Sequence, residues 1–177
     1  MIVMATPNRR VRRAELEEFA AKAQRAVGVR GAVDVLLAND AELKRLNGEF
    51  RGKKKATDVL SFPAEDAAGK VAGDIAISLE TAARQAEEQG HSLQSEVKIL
   101  LLHGLLHLKG MDHESDEGEM AAAEAKLRAR LKLPVGLIAR SCAGAARTAG
   151  RSHREQKQIL PLRKAQGQKD KEKKVAR

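Results

Sequence analysis

The sequence predicts an α+β fold: a small mixed four-stranded sheet packed with about five helices, a buried histidine-bearing central helix, and a disordered basic C-terminal tail. Three observations predict it. Short runs of period-two alternation are interspersed with longer runs of helical period, without the strict strand–helix alternation of a doubly wound sheet. The stretch Leu93 to Leu108 is apolar nearly all round, as in a helix enclosed by other elements. From Gly136 the composition changes: residues 140–151 are rich in Ala, Gly and Arg, and 163–177 in Lys and Gln with almost no large apolar residue. The expected organisation is one domain over 1–135 and a disordered tail over 136–177.

Taken in order, residues 1–8 suit a short first strand that Pro7 ends early. Leu16, Phe19, Ala20, Ala23 and Val27 recur at helical spacing within Arg9–Val27, and Gly28 supplies a stop. Val33, Val35 and Leu37 alternate within a strand over Ala32–Ala38. Asn39 or Asp40 caps a helix through Leu43 and Leu46 to about Phe50. A basic loop, Arg51-Gly52-Lys53-Lys54-Lys55-Ala56-Thr57-Asp58, leads into a strand Val59–Phe62 ended by Pro63. Residues 64–72 read as a loop. Gly73–Ser78 is a strand with Ile75 and Ile77 on one face and Asp74, Ala76 and Ser78 on the other. Ser78 caps a helix over Leu79–Gln89 that Gly90 closes, and Ser92 caps the central helix. A last helix is expected from about Ser115 to Leu131, with Met120, Ala123, Leu127 and Leu131 on one face and Leu133-Pro134 ending the domain.

The chemistry concentrates at the end of the central helix, in His103-Gly104-Leu105-Leu106-His107-Leu108-Lys109-Gly110-Met111-Asp112-His113. The i, i+4 spacing stacks His103 and His107 on one helix face. Gly110 permits a sharp turn that swings His113 back toward them. Three neutral imidazoles on one point suit a zinc ion with a fourth position left open, the layout of a catalytic site. Lone histidines in leucine-rich helices are usually satisfied core residues, but here three of the chain's five fall within eleven residues. The spacing is that of the metzincin proteases. In them a glutamate follows the first histidine as general base; here that residue is Gly104. The pattern therefore points to metal-assisted hydrolysis of something other than a peptide bond.

Composition narrows the partners. The net charge is +9. Residues 1–135 carry 21 basic and 21 acidic side chains and residues 136–177 carry 12 and 3, so the tail holds the whole excess. That suggests a polyanion such as nucleic acid, or a tail that only aids solubility. Three Phe and no Trp or Tyr argue against a base-stacking platform, so RNA binding would rest on phosphate contacts and be salt-sensitive. The lone Cys142 forms no intramolecular disulfide, and no apolar run is long enough to span a membrane. A reduced, cytoplasmic protein without membrane association is expected.

Over about residues 32–132 the chain resembles the YbeY family of bacterial rRNA maturation factors, zinc-dependent single-strand endoribonucleases. The matching blocks are Leu46-Asn47 with Phe50-Arg51-Gly52-Lys53, then Thr57-Asp58-Val59-Leu60-Ser61-Phe62-Pro63, Gly73-Asp74-Ile75-Ala76-Ile77-Ser78, and the histidine block. The resemblance implies that His103, His107 and His113 hold one Zn2+ and that Arg51 belongs to a basic groove beside it. It implies action in rRNA processing (16S rRNA 3′-end maturation) and in ribosome biogenesis and quality control, with single-stranded RNA or rRNA and the small ribosomal subunit and its proteins as partners. Two departures stand out. Lys54-Lys55-Ala56 replaces the usual acidic residue and proline before Thr57, and Met111 replaces an aromatic.

The candidate catalytic residues are accordingly Arg51, His103, Asp112 and Asp74, with Arg51 and Lys53 as RNA contacts. Arg51 offers a planar fork to phosphate, and Lys53, Lys54 and Lys55 add point charges. Asp112, next to a ligand, is placed to orient an imidazole or to cap the following turn. Asp74 is placed to face the cleft or to be an ordinary turn carboxylate. Glu114, Asp116, Glu117 and Glu119 suit a helix N-terminus. Two alternatives stay open: another metal-dependent hydrolase such as a protease, and a non-catalytic ribosome-assembly factor with a structural zinc.

Overall fold

A computed structural model describes residues 1–134 except 7, 54, 66–68 and 114–115. The expectations for the tail, for Cys142, for Lys54 and for Glu114 lie outside the described residues. Nine elements follow one another: β1 (Ile2–Met4), α1 (Arg13–Val27), β2 (Ala32–Ala38), α2 (Asp40–Arg51), β3 (Val59–Pro63), β4 (Val71–Ser78), α3 (Leu79–Glu88), α4 (Leu93–Leu108) and α5 (Glu119–Leu131). The sheet runs β1-β2-β4-β3, with β1, β2 and β4 parallel and β3 antiparallel on β4. The fold is thus the expected α+β one, a mixed four-stranded sheet with five helices.

Strand periodicity sorts the core into two layers. Val35, Leu37, Ile75 and Ile77 face the larger one, with Leu16 and Phe19 of α1, Ala82 of α3 and most of α4. Leu36, Ala38, Leu60, Phe62 and Ala76 face the other, against Leu43 and Leu46 of α2. Helix α4 lies between the sheet and α1, α3 and α5, which is why it lacks a polar face. Each of its fully buried leucines is worth about 1.5–3 kcal/mol. Its small residue falls where helix meets sheet. A Cβ on Gly104 would lie 3.0 Å from two side-chain carbons of Ile75 and 3.1 Å from Ser61 Oγ, which donates to the Gly104 carbonyl.

Three boundaries differ from expectation. Helix α1 starts at Arg13, not Arg9: Val11 is buried, and extended Arg12 donates its N–H to Gln94 Oε1 at the start of α4. Strand β4 starts at Val71, before the apolar alternation, because Val71 pairs with Ala32 and an irregularity follows before Val33 meets Gly73. Helix α5 starts at Glu119, not near residue 115, because the Asp116 carboxylate accepts the N–H groups of Gly118 and Met120. The expected caps are present: Asn39, Ser78 and Ser92 accept from Glu42, Thr81 and Ser95.

Gly73 has φ +142°, and a Cβ there would meet the Phe62 carbonyl oxygen at 2.3 Å and Leu108 Cδ2 at 2.9 Å. Gly73→Ala is expected to destabilise the domain by about 3 kcal/mol through backbone strain and overpacking. Urea unfolding of both proteins checks this, and an unchanged midpoint would show that the sheet edge yields freely.

Candidate metal centre and its surroundings

The last two turns of α4 deliver the first two candidate ligands. His103 is buried and His107 half-buried, and their Nε2 atoms lie 3.1 Å apart. Beyond Leu108 the chain reverses at Gly110, with φ +93°. The Met111 N–H bonds back to the Leu106 carbonyl and the Gly110 N–H to that of His107, so the turn is held by the helix's own last carbonyls. Lys109 Nζ donates to the Gly28 carbonyl and ties the turn to the end of α1. The reversal brings His113 in, with ring centroids 5.3 Å from His103 and 5.4 Å from His107. One nitrogen of each histidine lies within 4.8 Å of the others, and among the described residues this group of potential ligands holds only these three.

The donor set fits a divalent transition metal. Two nitrogens about 2.0–2.1 Å from a tetrahedral centre stand about 3.3 Å apart, close to the 3.1 Å between the two Nε2 atoms. His107 is also held neutral. Burial, then repulsion from His103 and His113, pushes the His107 pKa down from 6.5 to about 4, against the opposing pull of the Asp112 carboxylate. A neutral imidazole is the ligating form. His91, at the other end of α4, is instead taken up by Glu96, 2.5 Å from its Nε2.

The other expected residues fall in different places. Asp112 lies near enough to His107 for its charge to be felt, and its carbonyl accepts from Asp116 in the turn toward α5. The carboxylate that meets a ligand ring is a different one: Glu124 of α5, with Oε2 3.0 Å from His103 Nδ1. Sequence reasoning passed over Glu124, whose i, i+4 pairing with Arg128 has the spacing of a surface ion pair. Asp74 is buried, but alternation with Ile75, which packs on Gly104, turns it to the α2 face of the sheet and away from the histidines.

Arg51 and Lys53 are exposed at the end of α2. Asn47, buried in α2, shapes this loop: its carbonyl accepts from Gly52 and Lys53, and its side-chain amide donates to the Lys55 carbonyl. Phe50 packs edge-on to Phe62 of β3 with ring centroids 5.1 Å apart. Pro63 pairs with Gly73, which Leu108 approaches. The ends of α2 and α4 therefore lie at the same end of the sheet, on opposite faces of edge strand β3.

Comparison with known proteins adds an independent line. The family model described as endoribonuclease YbeY matches residues 4–132. The endoribonuclease YbeY of Koribacter versatilis is 50% identical over 154 residues, covering 87% of this chain and 100% of that protein. That of Solibacter usitatus is 52% identical over 130 residues, covering 73% and 86%. The solution structure of a Thermotoga maritima protein aligns with a TM-score of 0.50 at 24% identity, covering 87% of this chain and 100% of that one, a likeness of fold.

The His107 shift sets a pH dependence. In chelator-treated protein the unfolded chain protonates this residue near 6.5 and the folded chain only near 4. Folding stability therefore falls as pH drops through that window. His107→Gln is expected to lose less stability than the parent between about pH 7.5 and pH 5, measured as urea midpoints. Equal losses would mean that the folded site does not resist protonation of His107.

Proposed function

The chain belongs to the YbeY endoribonuclease family, and from that premise we propose that it is a metal-dependent endoribonuclease, acting on single-stranded RNA with one zinc ion held by His103, His107 and His113. The observation that carries the reading is the convergence of the three histidine nitrogens within 4.8 Å, in a chain half identical to a named endoribonuclease over that relative's full length. When bound, zinc supplies Lewis acidity toward a phosphoryl oxygen and activation of a water.

The chain's own residues do the rest. His103 and His107 present fixed nitrogens from a helix that is itself core, so the site is preorganised. Arg51 and Lys53, on the loop held by Asn47, bind the phosphate backbone. Asp112 adds negative charge beside His107. Gly104 leaves no place for the protease glutamate, because that position faces Ile75 and Ser61. Asp74, on the α2 face of the sheet, stands on the side of the basic loop and remains a candidate there. The proposed substrate is rRNA, with 16S rRNA 3′-end maturation as the processing step and the small ribosomal subunit and its proteins as partners in the cytoplasm. The domain assigned to this chemistry is 1–135, with 136–177 as a basic extension. Among the described residues no helix is long and apolar enough to cross a membrane.

The test is cleavage of a labelled single-stranded RNA by zinc-loaded protein beside His107→Ala prepared identically. Cleavage is expected to fall to the no-enzyme background in the variant. Equal cleavage by both would mean a contaminating nuclease and would sink the assignment. RNA binding without cleavage by either would favour an assembly factor. For the basic loop, Arg51→Ala is expected to weaken RNA binding at every sequence and to lower the slope of log affinity against log salt by about 1. An unchanged slope would remove Arg51 from the phosphate contacts.

A further inference from the structure

Behind His103 lies a chain of buried polar groups. Its Nδ1 is 3.0 Å from Glu124 Oε2, Arg128 Nε donates to Glu124 Oε1 at 2.7 Å, and Arg128 Nη1 donates to the Pro134 carbonyl at 2.8 Å. Glu124 and Arg128 are only 1% and 2% exposed. The other ion pairs within the described helices, such as Arg13 with Glu17, Lys22 with Glu18 and Arg45 with Glu49, are solvated. A buried ion pair is not explained by stability, since apolar side chains of the same volume usually do as well or better. This pair is aimed at a ring in the metal centre.

We propose that Arg128 and Glu124 form a positioning relay that fixes the tautomer and orientation of His103 and thereby sets the metal affinity of the site, with the chain leaving α5 at Pro134 as its outer anchor. The inference rests on the metal-site reading above. A neutral imidazole carries one N–H and one lone pair. An ionised carboxylate only accepts, so Nδ1 carries the proton and the Nε2 lone pair is left facing His107. Arg128 keeps its charge at any working pH and holds the Glu124 carboxylate in place. A carboxylate on the far nitrogen of a metal-bound histidine also makes that histidine a stronger ligand. The relay ties α5 and the residues after it to the site, because Arg128 donates to the Pro134 carbonyl beyond the end of the helix.

The test is Co2+ titration of the full chain, followed by visible absorbance, with two variants. Glu124→Leu/Arg128→Met removes both charges together and so leaves no orphaned ion in the core; Glu124→Gln keeps an acceptor. The double variant is expected to bind Co2+ about 10- to 100-fold more weakly, with Glu124→Gln in between and far-ultraviolet circular dichroism unchanged. Long-range 1H–15N spectra of the metal-free proteins should show His103 protonated on Nδ1 in the parent and mixed in the double variant. A folded double variant that binds Co2+ as tightly as the parent, with the same tautomer, would overturn the relay and leave the metal site standing. A parent that takes up no more Co2+ than His107→Ala would overturn the metal site itself, and the relay with it.

Discussion

Burial of α4 along nearly its whole length constrains every neighbour of the site. A helix without a polar face must be enclosed, and the sheet, α1, α3 and α5 are arranged to do so. Close approach to the sheet requires Gly104, and the end of the helix is pinned by Lys109 on Gly28 and by the Met111 N–H on Leu106. Because the core and the histidine cluster share this one helix, two of its imidazoles inherit the rigidity of close packing. The third is added by a turn that the helix's own carbonyls hold.

Enclosure also bears on the chemistry. The residue after the first ligand is the general base in the proteases that share this histidine spacing. Here it points into Ile75 and Ser61, with space for a hydrogen and little more. The absence of a glutamate at that position is thus a consequence of how the helix packs. The turn at Asp112 and the face of α5 that bears Glu124 are the elements the structure brings close.

Much of this was legible in the sequence. The order of elements, three N-caps and the histidine cluster follow from local signals, namely periodicity, a polar residue before an apolar run, and a glycine after the last ligand turn. The starts of α1, β4 and α5 were misplaced because distant partners decide them: Gln94 holds Arg12, Ala32 recruits Val71, and Asp116 caps from outside the helix. Asp74 shows the same limit. The alternation in β4 was evident, but both faces of the sheet are covered, so the pattern alone did not tell which face meets α4. Glu124 and Arg128 were hidden for a related reason. Their spacing matches that of the solvated pairs, and only tertiary packing buries one pair and exposes the rest.

The position of the histidines along α4 carries a last physical consequence. They occupy its C-terminal turns, where the aligned peptide dipoles of a helix amount to about half a negative charge. That end attracts cations and repels phosphate, the reverse of the helix N-termini that commonly cradle phosphate. A site here that acts on a polyanion needs positive charge from the metal and from cationic side chains. The structure places Arg51 and Lys53 at the end of α2, across edge strand β3, where Phe50 packs on Phe62. Arg51 itself stands in the last turn of its helix, where the same partial negative charge favours a guanidinium. The two helix ends thus favour a metal ion on one face of the sheet and a cationic loop on the other.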